Sequence, residues 1–173
     1  HSIIAEKLEL IAQGKLKRLI VNMPPRHSKS EFASYLMPSW FLGRNPKLKI
    51  IQATMNTELA VRFGRKVRDL IADPIYSDIF PETDLKPDSQ AAGRWETSAG
   101  GEYFAAGVGA AMTGRGADLL IIDDPHSEQD ALSVNAYDNA YNNCTDQMVE
   151  ERFDGSFIGC PSKRHYGGSM GFS

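Results

Sequence analysis

The run Leu119-Leu120-Ile121-Ile122 constrains the fold more than any other segment, because it offers no polar face to water and ends directly on Asp123-Asp124. A strand that is apolar on both faces belongs inside a sheet covered on both sides, the setting of parallel strands joined by helices. Two further runs, Leu19-Ile20-Val21 and Leu48-Lys49-Ile50-Ile51, read as strands. Helical patterns alternate with them. Ile3, Ile4, Leu8 and Ile11 recur at helical spacing and Gly14 follows as a C-cap. Glu31 to Leu42 reads as a helix that Pro38 should kink or split, since proline lacks the N–H and its ring clashes with the preceding turn. Glu58 to Ala72 reads as a third helix, capped by the Thr57 hydroxyl, with Leu59, Phe63, Val67, Leu70 and Ile71 as its buried stripe. Arg62, Arg65, Lys66 and Arg68 occupy the rest of it, and a solvated face is favoured over a nucleic-acid patch.

Pro, Asp and Ser mark Asp73 to Asp88 as a loop region, after which Arg94 to Thr97 and Glu102 to Ala106 flank Gly100-Gly101 as a hairpin. This order of elements predicts an α/β domain with a mainly parallel sheet flanked by helices. At 173 residues the chain has the size of one domain. The pattern weakens past Asp130, so a core at 1–130 is expected, with 131–173 as its C-terminal part or a poorly anchored tail.

A net charge of −3 excludes a general basic coat for nucleic acid and leaves room only for a local groove. Cys144 and Cys160 make no disulfide framework and fit a reducing compartment. Cys160 and His165 are neighbours in sequence, but no second pair at ligand spacing supports zinc. No apolar run reaches the roughly 20 residues of a membrane span, and the first residues lack the regions of a signal peptide. The start at His1, without an initiator Met, suggests a fragment of something longer.

Two stretches carry chemistry. "MPPRHSKSE" (Met23 to Glu31) follows a strand and opens a helix, and it ends in the Lys-Ser pair of a phosphate loop. Aligned on Lys29, Ser28 stands in the place of the second glycine of that pattern and Met23 in the place of the first. What phosphate binding demands is a strand end, a tight loop and a helix N-terminus, where free N–H groups and the helix dipole meet an anion. Pro24 and Pro25 restrict the loop, and Arg26 adds a charge that a glycine loop lacks. A left-handed Ser28 would cost roughly 1 to 2 kcal/mol. By itself this stretch fits an ordinary helix start with an exposed lysine equally well. Asp123-Asp124, at the C-terminal end of a buried strand, lie where open α/β sheets bind ligands, and such carboxylates can hold Mg²⁺ and orient a water. The pair of stretches together favours a nucleotide hydrolase. "GVGAAMTGRG" (Gly107 to Gly116) is no dinucleotide fingerprint, since its spacing is wrong and it precedes a strand.

These residues resemble the large subunit of tailed-phage terminases, the ATP-driven DNA-packaging motor. "PPRHSKSE" is similar to that family's Walker A loop, and "RFGRKVRDLI" and "GRWETSAGGEYFAAGVGAAMTGRGADLLIIDDP" (Gly93 to Pro125) resemble the stretches leading into its Walker B strand. The similarity covers about residues 1–130, and the long second block is its most specific part. The resemblance implies a P-loop ATPase of the additional-strand (RecA-like) type that binds ATP and Mg²⁺. It implies that Pro25, Arg26, His27, Ser28, Lys29, Ser30 and Glu31 bind the nucleotide and that Lys29 meets the β/γ-phosphates. Ser30 and Asp123 would hold the metal, and Asp124 would activate water where such ATPases more often carry Glu. Arg26 would sense the γ-phosphate, and Arg115 is the leading candidate for a trans arginine, a local salt bridge being its alternative. The implied partners are double-stranded genomic DNA, a portal protein, a small terminase subunit and further copies of the chain in a ring, in the host cytoplasm at the procapsid portal vertex, with no membrane. After Asp130 the chain matches neither the family's coupling motif nor its nuclease domain, so nuclease activity is not expected. A non-catalytic nucleotide- or anion-binding assembly module and a helicase-like ATPase are the alternatives.

Overall fold

The computed structural model describes residues 2–24, 26–108, 110 and 116–125, together with the backbone of 156–160. Helix α1 (Ser2–Ala12) turns Leu8 and Ile11 into the core and leaves Ile3 at the surface. Gly14, at φ +69°, ends it as expected of a left-handed cap. Strand β1 (Arg18–Ile20) then leads into the loop, and a continuous helical segment begins at Lys29. That segment is split in the region of Pro38: Glu31–Leu36 is a π-helix, with the Met37 N–H donating to the Phe32 carbonyl five residues back, and α2 (Met37–Arg44) follows with Pro38 in its first turn. Proline cannot donate to the turn before it and crowds the carbonyl four residues back, that of Ser34, so a widened turn there relieves both problems.

Strand β2 (Lys49–Thr54) is buried from Ile50 onward and feeds α3 (Thr57–Ile71). The cap of α3 is Asn56, whose side-chain oxygen accepts the Leu59 N–H at 2.8 Å, and not Thr57, which is the first helical residue. Both residue types can cap; the one whose backbone is extended does so. The buried line of α3 is Ala60, Gly64, Val67 and Ile71, with Leu59, Phe63 and Leu70 at its margins. Small residues let α3 lie close against the sheet: a Cβ on Gly64 would stand 2.6 Å from the Ala92 carbonyl oxygen. The Gly64 carbonyl in turn accepts the Trp95 indole N–H at 3.1 Å, and Trp95 stacks on Tyr103 with ring centres 4.9 Å apart.

The expected loop at 73–88 is structured. Asp73 caps α4 (Pro74–Ile79), and strand β3 (Leu85–Ala91) joins the sheet edge. Strands β4 (Arg94–Thr97) and β5 (Glu102–Gly107) form the anticipated antiparallel hairpin, and β6 (Leu119–Asp123) is buried along its whole length. Beyond Asp130 the sequence leaves open a C-terminal part of the domain or a tail, and within that stretch Ser156–Cys160 forms strand β7. The sheet order is β1-β7-β6-β2-β5-β4-β3, parallel from β1 through β5 and antiparallel at β4 and β3. Side chains of α1 to α4 and the π-helix pack on one face with Ile50, Trp95, Tyr103, Leu119 and Ile121; Ile51, Ala53, Ala106, Leu120 and Ile122 form a second cluster.

Candidate functional site

Parallel register brings the strand ends to one edge. Asp123 pairs with Thr54 on one side and Cys160 on the other, and Thr54 pairs with Gly107 across β5. The Asp124 carbonyl accepts the Met55 N–H at 3.1 Å, tying the end of β6 to the end of β2. The loop after β1 runs over this edge. Arg26 and Ser28 both take left-handed backbone, at φ +63° and +62°, and the Ser28 carbonyl accepts the Phe32 N–H at 3.1 Å as the helix starts. Ser28 therefore does what a glycine in its place would do, with a side chain that makes the conformation less favourable.

Beneath the loop lies a cleft of about 490 Å³, lined among others by Arg26, Ser28, Lys29, Ser30, Glu31 and Asp124. His27 is exposed and is not among the lining residues. Lys29 is buried, with its Nζ 2.6 Å from Asp124 Oδ1 and 3.6 Å from Asp123 Oδ1. The lysine reaches this edge from 95 residues away in sequence, so the two expected motifs meet. Asp124 stands at φ +44°, a third left-handed position at the same edge. Pro25 and Arg115 lie outside the described residues.

Asp123 is only 2% exposed. Its Oδ2 accepts the Ser34 hydroxyl at 2.8 Å, while its Oδ1 is buried without a hydrogen bond. Burial pushes the carboxyl above the usual carboxylate range, against the pull of the Ser30 and Ser34 hydroxyls and the Lys29 charge. A buried carboxylate oxygen with an unfilled acceptor position is suited to a cation. Ser34 is the residue that sequence reasoning missed; its only signal was a hydroxyl one turn beyond Ser30. Among the described residues no group of three or more His, Cys, Asp or Glu gathers to hold a metal by itself, and no helix is long and apolar enough to cross a membrane.

No protein-family model matches the chain, and no curated protein matches it. The solved structures do include a similar one, the HK97 bacteriophage large terminase, with a TM-score of 0.54 over 94% of this chain at 11% identity. The fold is distantly terminase-like. The chain spans about a third of that terminase's length, 33%, and at this identity the likeness is one of fold.

Proposed function

We propose that the cleft binds ATP together with Mg²⁺ and hydrolyses it, and that the chain is the ATPase portion of a terminase-type motor that drives viral DNA into a procapsid. The observation that carries this reading is the convergence of Lys29, Asp123 and Asp124 under a loop whose Ser28 is left-handed, at the C-terminal edge of a parallel sheet. The position of β7 between β1 and β6 supports the additional-strand type of P-loop ATPase, and the terminase-like fold supports the motor. DNA, a portal, a small subunit and a ring of copies belong to the same proposal.

In this reading the helix start at Lys29 to Glu31 presents free N–H groups to the phosphates, where the helix dipole favours negative charge. Lys29 leaves Asp124 for the phosphate oxygens and brings a positive charge to the transferred group. Arg26, exposed in the loop, adds a second charge on the same side. Ser30 and Asp123 would hold the metal: Asp123 offers a buried oxygen that no hydrogen bond satisfies, and Mg²⁺ would need few protein ligands. Bound there, Mg²⁺ supplies neutralisation of charge on the β- and γ-phosphates. Asp124, released from Lys29, accepts a proton from the attacking water. It is one methylene shorter than the glutamate more often found at such a position, and its backbone is left-handed, at φ +44°.

The direct Lys29–Asp124 contact also favours a second reading, a non-catalytic module in which the cleft only holds an anion. Binding of a fluorescent ATP analogue and Mg·ATP turnover separate the two. Lys29→Ala is expected to lose binding by at least about tenfold, given that a charge-assisted hydrogen bond is worth roughly 1.5 to 3 kcal/mol. Asp124→Asn is expected to keep binding and lose turnover. Binding that ignores Lys29 sinks the nucleotide site; turnover that survives Asp124→Asn removes Asp124 as the base, and a wild type that binds without turnover favours the module.

A further inference from the structure

The π-helix that follows the loop brings a second hydroxyl to the metal-binding carboxylate. Ser34 is fully buried, and its Oγ–H donates to Asp123 Oδ2 at 2.8 Å. The Ser30 hydroxyl also acts on this carboxylate, and the Ser34 bond adds an anchor on Oδ2 that restricts its rotation. Its other oxygen, Oδ1, is then the one left without a hydrogen bond, and it is the oxygen 3.6 Å from Lys29 Nζ. The helix that carries Ser34 also carries Lys29 and Ser30 in its first turn, so one element places the lysine, the metal-side hydroxyl and the residue that orients the acid. Pro38 contributes at a distance: the carbonyl its ring would crowd in a regular helix is that of Ser34, and the widened turn over Glu31–Leu36 accommodates it.

We propose that Ser34 is a positioning residue for the metal site, and this rests on the Mg·ATP reading above. It makes no contact with nucleotide or metal; it acts through Asp123, by keeping Oδ2 engaged and Oδ1 available as a ligand. Residues that orient a metal ligand in this way typically contribute about 10- to 100-fold in metal affinity. Ser34→Ala removes the hydroxyl at nearly constant volume, and Ser34→Thr retains it.

The test is titration of a fluorescent ADP into the whole chain, with Mg²⁺ and with chelator, alongside thermal unfolding in chelator. The wild type is expected to bind more tightly with Mg²⁺ than without. Ser34→Ala is expected to match the wild type within about twofold in chelator and to lose at least about tenfold of the Mg²⁺ gain, in line with second-shell effects on metal sites. Ser34→Thr restores the gain. If Ser34→Ala fails to fold, Ser34→Cys, similar in size and a weak donor, carries the same comparison. A Ser34→Ala variant whose Mg²⁺ gain equals that of the wild type overturns the proposal. So does one that weakens binding equally in chelator and in Mg²⁺, since that is a general structural effect. A wild type with no Lys29-dependent binding overturns the nucleotide reading itself, and that result appears in the control before any Ser34 variant is compared.

Discussion

Ser28 sits at φ +62°, where glycine carries no steric penalty and serine carries roughly 1 kcal/mol. Ser28→Gly is therefore expected to leave the fold intact and to raise stability by up to about 1 kcal/mol, part of the gain being returned through the freer unfolded chain. Ser28→Val, branched at Cβ, is expected to lower stability by about 1 to 3 kcal/mol. Chemical denaturation of the two variants checks this, and a Ser28→Gly variant clearly weaker than the wild type would show that the serine side chain itself holds the loop. At this scale the residue types that meet at the edge are legible in the sequence: a lysine, hydroxyls and two acids. What could not be read was Ser34, because nothing local distinguishes a serine inside a helix that points at a carboxylate from one that bonds to its own backbone. The Lys29–Asp124 ion pair is equally hidden, since it joins residues 95 apart in sequence.

Among the elements, α3 is recognisable from its period, and Val67 and Ile71 of the expected stripe are buried, while Leu59, Phe63 and Leu70 lie at its margins. Leu59 and Phe63 are large but marginal, whereas Ala60 and Gly64 face the sheet and are small because the backbones approach closely. Gly64→Ala sets a methyl 2.6 Å from the Ala92 carbonyl oxygen and 3.1 Å from the Tyr103 ring, so it is expected to destabilise by about 1 to 3 kcal/mol despite the better helix propensity of alanine. Thermal or denaturant unfolding reads it out, and a stabilised variant would mean that α3 has room to move away. The segment 73–88 reads as a loop but is structured, for a different reason. Asp73 and Pro74 are turn-formers that here serve as the cap and first residue of α4. Pro87 argues against a central strand, but β3 is the last strand of the sheet and has a neighbour on one side only. The effect of Pro38 on its helix is legible in the sequence because it is steric and local.

For the whole molecule the decisive feature is β7. Among the described strands it is the only neighbour of β1, and it joins the loop-bearing strand to the strand that ends in Asp123. A chain shortened to residues 1–150 lacks this link. It is expected to lose cooperative unfolding and nucleotide binding together, measured by circular dichroism on heating and by the fluorescent ADP titration; a shortened chain that still melts sharply would mean that β1 finds another partner. Sequence pattern misses such a strand because Ser156 to Cys160 contains only a short apolar run beside glycine, and its pairing is with β1 and β6, far away in the chain. The sequence by itself determined that the chain is α/β, where its most apolar strand lies, that two acids end that strand, and that a lysine and hydroxyls open a helix after another. Those properties follow from local periodicity, side-chain size and charge. Only the tertiary structure decided that β7 separates β1 from β6, that Lys29 spans the gap to Asp124, and that Ser34 holds Asp123. These depend on strand order and register, which are set by contacts between residues distant in sequence and are invisible to any window along it.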